Sequence, residues 1–533
     1  MKTKILIFLT RLSHLPQRLR KTEKITILTL LLVILISAGF FLSDRFVKKT
    51  LIPDFGGTYI EGEVGEIHSL IPILTQNEVE KDISKLIFSS LVKYNGKREI
   101  IGDLAEKWEI SPDGKTYKFY LKEVKWHDGQ KLTAEDVVFT FSLIQNEQAK
   151  SPLFESFQGI EVKKIDERTI AFSLKTPLAP FLGSLTVPIL PKHLLSQVPP
   201  SELAGSSFAK KPIGSGPLKL LKIETSQKGT SLILEANNDF YLKKPYLSKL
   251  IFKVYQNQEE AQKAYKRRQI LGLFEGQEGL GKNYKVILPQ YKAVFFNLDS
   301  PSLEKNLRKG LAQAVNKEEI IGAVGRAERV DLPILPGFLG YKESERWNFN
   351  LDQAQKFLSK SKNPKPELIL LTKQGESNQK IAEILKRQWE NLGIKINIVV
   401  KTNALFEKAI SERNYDLLLV GVNQKADPDP YPFWHSSQGS GSGRNFSSFK
   451  NQEVDKLLEE ARQSMDQNKR SEKYGRFIDI IQGEVPAVFL YQPIYNWQVS
   501  DIVKGIEEVQ GVTKADRFWN IENWYIRTSR QRR

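Results

Sequence analysis

The side chains best suited to metal chemistry in this 533-residue chain are its five histidines. No two of them stand at the short spacing at which zinc ligands recur, and no H-E-x-x-H motif is present. Cysteine is absent, which removes thiolate ligands, disulfides, a cysteine nucleophile and a lipid-modified N-terminal cysteine. The sequence therefore predicts no metal site. The histidines are His14, His68, His127, His193 and His435.

Two glycine-rich stretches could bind a phosphate or expose a nucleophile, and each lacks the residue that its chemistry requires. GQEGLGKN at 276–283 is close to a phosphate-binding loop, but Asn283 stands where Ser or Thr must ligate magnesium. GSGSG at 439–443 has Gly441 at its centre, where a nucleophile elbow needs serine. The sequence therefore predicts no nucleotide cofactor and no serine hydrolase.

The paired carboxylates Asp427 and Asp429 could serve acid–base catalysis. Two acids that flank a proline more often shape a turn. Because no complete catalytic set accompanies this pair, the sequence favours a binding protein over an enzyme and predicts no cofactor.

The net charge of +17 would suit a nucleic-acid-binding protein if it lay on one folded face. Instead it is concentrated at the two ends of the chain. Residues 1–24 carry seven basic side chains and one acidic side chain, and the last seven residues carry four arginines. We therefore expect no nucleic-acid partner.

The segment 25–42, ITILTLLLVILISAGFFL, contains no charged residue. A helix of this length would rise ~27 Å, close to the hydrocarbon thickness of a membrane. The basic residues before it place segment 1–24 in the cytoplasm by the positive-inside rule, with 43–55 as an external linker. We expect a single uncleaved anchor in the cell membrane; the alternative is a cleaved signal peptide, which would also export the rest of the chain.

The exported part alternates strands and helices, which is typical of an α/β layered fold. Hairpin patterns are predicted within 108–132 and 163–177, followed by a strand at 249–255. The second half predicts one helix over 307–324 and strands at 366–373 and 416–422. Thr133 is predicted to cap a helix, with Asp136 completing an acidic capping box.

Several stretches in the same order resemble extracellular solute-binding protein family 5, the oligopeptide-, dipeptide- and nickel-binding components of ABC importers. The resemblance covers about residues 56 to 510. The stretches that carry it are GDLAEKWEISPDGKTYKFYLKEVKWHDGQKLTAEDVVFTF at 102–141, PIGSGPLKL at 212–220, NNDFYLKKPYLSKLIFKVY at 237–255, AVFFNLDSPSLEKNLRKGLAQAVNKEEII at 293–321, DPDPYPFWHSSQ at 427–438 and QGEVPAVFLYQPIYNW at 482–497.

This resemblance implies a two-lobed periplasmic-binding-protein-like α/β fold with an extra subdomain. Lobe one is expected to comprise 56–90, 205–296 and 495–533, with the extra subdomain at 91–204 and lobe two at 297–494. The chain is expected to cross between the lobes near 295–297 and 491–493. A ligand would bind between the lobes as they close on a hinge.

The resemblance also implies a monomer that captures peptides and hands them to the membrane subunits of an ABC importer. A peptide can add itself as a strand to an exposed sheet edge, here expected at 65–69 and 421–423. Aromatic side chains would line its side-chain pockets, although core packing, or a turn for the histidines, explains each of them equally well. The expected ligand-binding residues are Gly65, Glu66, His68, Asn297, Gly421, Asn423, Gln424, Asp427, Asp429, Tyr431, Trp434, His435 and Tyr491.

One position departs from the peptide-binding pattern. In the family an aspartate three residues before an acid-proline pair holds the peptide's α-ammonium, and here that position is Gln424. A neutral amide lacks the charge assistance of a carboxylate. Either Asp427 or Asp429 takes over this role, or the protein does not bind a free N-terminus.

Two other functions stay open. One is a surface receptor of the same fold that binds a sugar or a metal chelate, or passes its ligand to a partner other than a transporter. The second is an exported hydrolase, which would need a catalytic set that the sequence does not contain. Co-purifying ligands distinguish the first from peptide capture, and a test for peptide cleavage addresses the second.

Overall fold

The computed structural model describes residues 20–46, 49–75, 77–226, 229–276, 279, 281–343 and 347–532. They form two compact units. One consists of the described residues up to Phe55 together with those from Arg527 onward, and the other is Gly56–Ile526.

Helices of four to twenty-six residues are distributed along the described chain. They are α1 (Lys21–Phe46), α2 (Glu78–Ile87), α3 (Ala134–Ile144), α4 (Phe154–Phe157), α5 (Phe181–Ser184), α6 (Lys192–Leu195), α7 (Ser207–Lys210), α8 (Gln258–Lys266), α9 (Lys305–Gln313), α10 (Lys317–Val324), α11 (Leu351–Leu358), α12 (Glu376–Glu390), α13 (Asn403–Ser411), α14 (Tyr431–Trp434), α15 (Gln452–Gln463) and α16 (Gln467–Glu484). Short 3₁₀ turns include Lys514–Phe518 and Ile521–Asn523.

The strands belong to one large sheet and three smaller ones. They are β1 (Lys49–Asp54), β2 (Thr58–Val64), β3 (Val92–Tyr94), β4 (Ile100–Gly102), β5 (Ala105–Ile110), β6 (Thr116–Leu121), β7 (Glu161–Asp166), β8 (Thr169–Ser173), β9 (Leu218–Ser226), β10 (Gly229–Ala236), β11 (Lys249–Tyr255), β12 (Gly272–Phe274), β13 (Lys282–Ile287), β14 (Gln290–Phe296), β15 (Ala327–Arg329), β16 (Glu367–Lys373), β17 (Lys395–Lys401), β18 (Leu417–Asn423), β19 (Ala487–Val499) and β20 (Arg527–Arg532).

The unit at the chain ends contains α1 and an antiparallel ribbon of β1 with β20. The predicted linker 43–55 therefore holds a strand, and the last residues pair with it. The predicted membrane-spanning helix at 25–42 is not supported, because no helix among the described residues is long and apolar enough to cross a bilayer. The side chains at 39–46 and residues 1–19 of the basic segment lie outside the described part.

The second unit is organised around a twelve-stranded mixed sheet whose main path runs β17-β16-β18-β14-β19-β12-β2-β11-β10-β9. The long strand β19 joins its two halves. Ala487 to Tyr491 pair with β14, whereas Ile494 to Val499 pair with β13. This division of β19 separates lobe two from lobe one.

Lobe two has helices on both faces of its part of the sheet, as the alternation of strands and helices predicts. Side chains alternate between faces along a strand. Tyr291 and Phe295 of β14 pack in one core with α13, α15 and α16. Val294 and Phe296 pack in the other core with α9, α10 and α12. Since β14 lies wholly in lobe two, the first crossing precedes it, earlier than the predicted 295–297.

Lobe one and the extra subdomain share a continuous core that extends from Tyr59 to Trp524 in sequence. The subdomain contains the antiparallel sheet β5-β6-β8-β7, which includes both hairpins predicted from the sequence. The capping box of Thr133 and Asp136 is present at the start of α3. The side chain of Asp136 accepts from Thr133 N at 2.8 Å.

The predicted single helix over 307–324 is wrong, because two helices occupy this stretch. The first, α9, ends at Gln313, and Asn316 caps α10 by accepting a hydrogen bond from Glu319 N. Asparagine competes for backbone donors in this way and therefore favours a helix start over a helix interior.

Candidate ligand-binding site

A cavity of about 340 Å³ lies where lobe one, the extra subdomain and lobe two meet. Helix α2 and Val512–Asp516 form one side, and residues between α4 and Pro188 form another. Lobe two contributes Lys425, two residues after β18. The lining residues are Pro72, Thr75, Lys81, Ser84, Lys85, Tyr94, Leu153, Ser156, Phe157, Gly183, Ser184, Thr186, Val187, Pro188, Lys425, Val512, Thr513, Ala515 and Asp516.

Apolar side chains and a few polar groups share this wall, the usual composition of a small-molecule site. Leu153, Phe157 and Val187 supply apolar surface from the extra subdomain. Tyr94 is buried and its hydroxyl lies close to Gly183. The cavity can therefore enclose an apolar side chain while polar groups fix its orientation.

Helix α2 presents three polar side chains to the cavity because Lys81, Ser84 and Lys85 are three and four residues apart on one face. Lys81 pairs with Glu78 at 2.8 Å, and Lys85 pairs with Asp516 at 3.2 Å. Ser84 is 3% exposed, and its Oγ has no hydrogen-bond partner among the described residues. A buried hydroxyl in this state loses the free energy of a hydrogen bond that a ligand could restore.

Lys425 is the cavity lysine that forms no ion pair with a carboxylate of the described residues. Its Nζ lies 3.4 Å from Ser184 Oγ, and no described carboxylate lies within ion-pair distance of it. Lys425 as a whole is exposed to solvent, and partial desolvation of its ammonium lowers its pKa while the nearby charge of Asp429 acts in the opposite direction. A cation at a cavity wall that has no ion-pair partner attracts an anion.

Asp516 is held rigidly against the cavity by the turn in which it lies. Its Oδ2 accepts from Val512 N at 3.0 Å and from Thr513 N at 2.8 Å, which completes a capping box. Its other oxygen faces Lys85. Because these donors already use the carboxylate, it is a poor partner for a ligand's ammonium.

A buried charge network joins this turn to β2 and α2. Arg517 is fully buried and donates to Glu61 at 3.0 Å, to Glu63 at 2.5 Å and to Asp82 at 2.7 Å. Lys514 donates to Glu63 at 2.6 Å. The network connects the elements that carry Lys81, Ser84 and Asp516, so it fixes the geometry of the cavity.

Three carboxylates face two cations in this network, and burial decides how the excess negative charge is removed. Burial raises the pKa of Glu63 to about 8, despite the neighbouring Lys514. Burial also acts to raise the pKa of Asp82, but Arg517 and Lys514 outweigh it and lower that pKa overall. Burial raises the pKa of Glu61 as well, so the network keeps its proton on the Glu61 and Glu63 side rather than on Asp82.

The two acids singled out from the sequence are both occupied by arginines. Asp427 binds Arg470 through both oxygens, and Asp429 binds Arg462 with Nη2–Oδ2 at 2.8 Å. The side chain of Arg470 is only 4% exposed. Neither carboxylate is therefore free to take over the ammonium contact that Gln424 lacks.

Tyr431 and His435 form a stack beside this pair of acids rather than an open pocket. Their rings lie 4.1 Å apart at 17°, and the Arg462 guanidinium lies 4.2 Å from the Tyr431 ring. The ring nitrogens of His435 contact Ser437 at 2.8 Å and Glu459 at 3.2 Å. These interactions stabilise the loop that follows β18.

Four further predicted ligand residues are buried inside lobe two. Asn297 donates to Tyr415 O at 2.9 Å, and Gln424 turns towards the backbone of Leu335. Trp434 and Tyr491 belong to the two cores of this lobe. These four side chains pack inside lobe two, which is the alternative to ligand contact given above. None of the four lines the cavity.

The other predicted residues are exposed near strand ends. Gly65, Glu66 and His68 follow β2, where His68 and Glu66 lie 3.3 Å apart. Gly421 and Asn423 pair with β14, whereas pairing of β18 with β16 covers Leu417–Leu419 only. The end of β18 is thus paired on one side, and this edge leads directly to Lys425.

Sequence reasoning missed Lys425 and the polar face of α2. Two signals were available: a lysine next to Gln424, and the i, i+3, i+4 spacing of Lys81, Ser84 and Lys85. Nothing in the sequence showed that these two segments meet, since more than three hundred residues separate them.

Comparison with known proteins identifies the family of this chain. The profile described as bacterial extracellular solute-binding proteins, family 5 Middle, matches residues 99–445. The oligopeptide-binding protein AppA of Bacillus subtilis is 27% identical over 95% of this chain and 99% of its own length. Its structure in complex with a nonapeptide covers 89% of this chain and 100% of its own, with a TM-score of 0.73 and 26% identity.

Two further relatives bind smaller ligands, according to their descriptions. The dipeptide-binding protein of Escherichia coli is 27% identical over 79% of this chain and 86% of its own length. The structure of NikZ from Campylobacter jejuni in complex with Ni(L-His) covers 88% of this chain and 99% of its own, with a TM-score of 0.71 and 26% identity. The relatives thus range from a peptide binder to a metal-chelate binder.

Proposed function

Since this chain belongs to the family 5 bacterial extracellular solute-binding proteins, we propose that it captures short peptides and delivers them to the membrane subunits of an ABC importer. The observation that carries the proposal is the cavity of about 340 Å³ between the lobes, with apolar walls and few polar groups. This volume is at the lower end of the usual range for ligand pockets, about 300–1,000 Å³. A ligand of two to a few residues fits it better than a long peptide.

Backbone recognition is supported by the edge at Gly421–Asn423. A peptide added there would exchange main-chain hydrogen bonds, which are independent of its side chains. The same ligand could reach Lys425 and the polar face of α2. Closure of the lobes about β19 would then enclose it, and the importer would recognise the closed form.

The alternative of a metal chelate has no support from the histidines of the described site. His68 lies at the end of β2 beside Glu66, and His435 is bonded to Ser437 and Glu459. Neither lines the cavity. Peptide capture therefore accounts for the described residues better.

The direct test is to purify the full-length chain from cells grown in rich medium and identify what it carries. Mild detergent is needed during purification, because large apolar side chains from Ile25 to Ile36 are exposed on α1. Heat denaturation should release peptides of two to a few residues, detectable by mass spectrometry. Release of sugars or a metal chelate instead would defeat the peptide assignment.

A further inference from the structure

The cavity has a positive charge balance. Among its lining lysines, Lys81 and Lys85 have carboxylate partners in Glu78 and Asp516, whereas Lys425 has none among the described residues. Asp427 and Asp429 of the same loop each bind an arginine, and neither forms an ion pair with Lys425. An anion is the ligand group that this arrangement lacks.

A second observation points to the same group. Ser84 lines the cavity with a buried hydroxyl that has no partner within the described chain. Ser84 and Lys425 line the same cavity, and a carboxylate can accept hydrogen bonds from a hydroxyl and from an ammonium at its two oxygens. The two groups come from opposite lobes, so a ligand that bridges them would stabilise the closed form.

We propose that the ligand is recognised through a carboxylate bound by Lys425 and Ser84, and that a free α-ammonium is not required. This inference rests on the proposed peptide capture and specifies its charge selectivity. The carboxylate has two sources, the C-terminus of a peptide or an acidic side chain. The loop after β18 thus carries a cation as its ligand contact, in place of the acid expected from the sequence.

The test uses the full-length protein and the tripeptide Ala-Glu-Ala with free termini, measured by isothermal titration calorimetry. Three further peptides change one charge each: the C-terminal amide, Ala-Gln-Ala, and the N-acetyl form. Loss of a charge-assisted hydrogen bond should weaken binding about 10-fold or more. Acetylation should change the affinity by less than about 3-fold, because no ammonium contact is lost.

The protein variants assign the effect to Lys425. In Lys425→Met, replacing the peptide carboxylate by an amide should no longer weaken binding. In Lys425→Arg, the same replacement should still weaken it. Lys456→Met serves as the matched control, since Lys456 is a largely exposed lysine on α15. It should behave as the unaltered protein.

Each result of these titrations either supports or overturns the proposed carboxylate recognition. A loss of affinity on amidation identifies the C-terminus as the bound carboxylate. A loss of affinity on the Glu-to-Gln change identifies the side chain instead. Either loss supports the proposal if it disappears in Lys425→Met. Sensitivity to acetylation alone, or a preference that survives Lys425→Met, would overturn it. Binding of none of the peptides would overturn the proposed peptide capture itself, and this inference with it.

Discussion

Arg470 donates to both carboxylate oxygens of Asp427, at 2.8 Å from Nη1 and at 2.5 Å from Nη2. The arginine comes from α16 and the aspartate from the loop after β18, so the pair holds this loop against α16 within lobe two. A carboxylate engaged at both oxygens acts as a structural group. The ion pair therefore explains why a conspicuous acid in the sequence need not contact a ligand.

Asp427→Ala should destabilise the protein by about 3 kcal/mol, because it leaves the buried guanidinium of Arg470 unpaired. The midpoint of denaturant unfolding measures the effect. Glu453→Ala is the control, since it breaks an exposed ion pair with Arg476 and should cost less than about 1 kcal/mol. Equal losses in the two variants would show that the Asp427–Arg470 pair has no special role.

Most strands were predictable because their side-chain pattern is local. The strand predicted at 249–255 is β11, and that at 366–373 differs from β16 by one residue. The break between α9 and α10 was missed, since Asn316 acts through a backbone hydrogen bond that periodicity does not show. Strand β1 was missed because its partner lies at the other end of the chain.

The site was much less predictable than the fold. Asp427 and Asp429 were identifiable as acids, but Arg462 and Arg470, which bind them, lie more than thirty residues away. A charge pattern in one segment cannot show that a distant segment neutralises it. Lys425 became significant only after these pairs were known.

Glu63→Gln should make the protein less sensitive to pH. Burial raises the pKa of Glu63 from 4.5 to about 8, so the native state keeps a proton that the unfolded chain loses. Stability falls with rising pH wherever the unfolded state binds fewer protons, here between 4.5 and about 8. The slope is at most about 1.4 kcal/mol per pH unit for one proton.

Glutamine stays neutral and can still donate a hydrogen bond, so this slope should disappear and the variant should gain stability relative to the unaltered protein as pH rises. Denaturant midpoints across this pH window give the measurement. The control is Glu453→Gln at an exposed site. Parallel pH profiles for the unaltered protein and Glu63→Gln would show that Glu63 does not keep a proton in the native state.

Gly183→Ala should weaken ligand binding and lower the stability of the fold moderately. An added Cβ would lie within 2.4 Å of the Tyr94 hydroxyl oxygen, and both residues line the cavity. The Tyr94 ring must move, at a cost of about 1–3 kcal/mol of folding stability. The displaced ring also reduces the space for the ligand, and we expect the affinity to fall about 10-fold, which corresponds to about 1.4 kcal/mol. Titration with Ala-Glu-Ala measures it.

Gly322→Ala is the matched control, because its Cβ meets no atom within 4 Å. It should bind the tripeptide as the unaltered protein does. If Gly183→Ala also binds normally while its fold is intact, the ligand lies outside this cavity.

Lys292→Met should stabilise the protein at neutral pH, by an amount that shrinks as pH rises. Lys292 donates to Asn378 at 2.8 Å, and burial lowers its pKa from 10.5 to about 8, with Lys373 acting in the same direction. Between about pH 8 and 10.5 the unfolded chain binds the extra proton, so the stability of the unaltered protein rises there with pH. Methionine has no such titration.

Denaturant midpoints for both proteins across this window test the prediction, with the exposed Lys285→Met as control. A difference between Lys292→Met and the unaltered protein that stays constant with pH would contradict it.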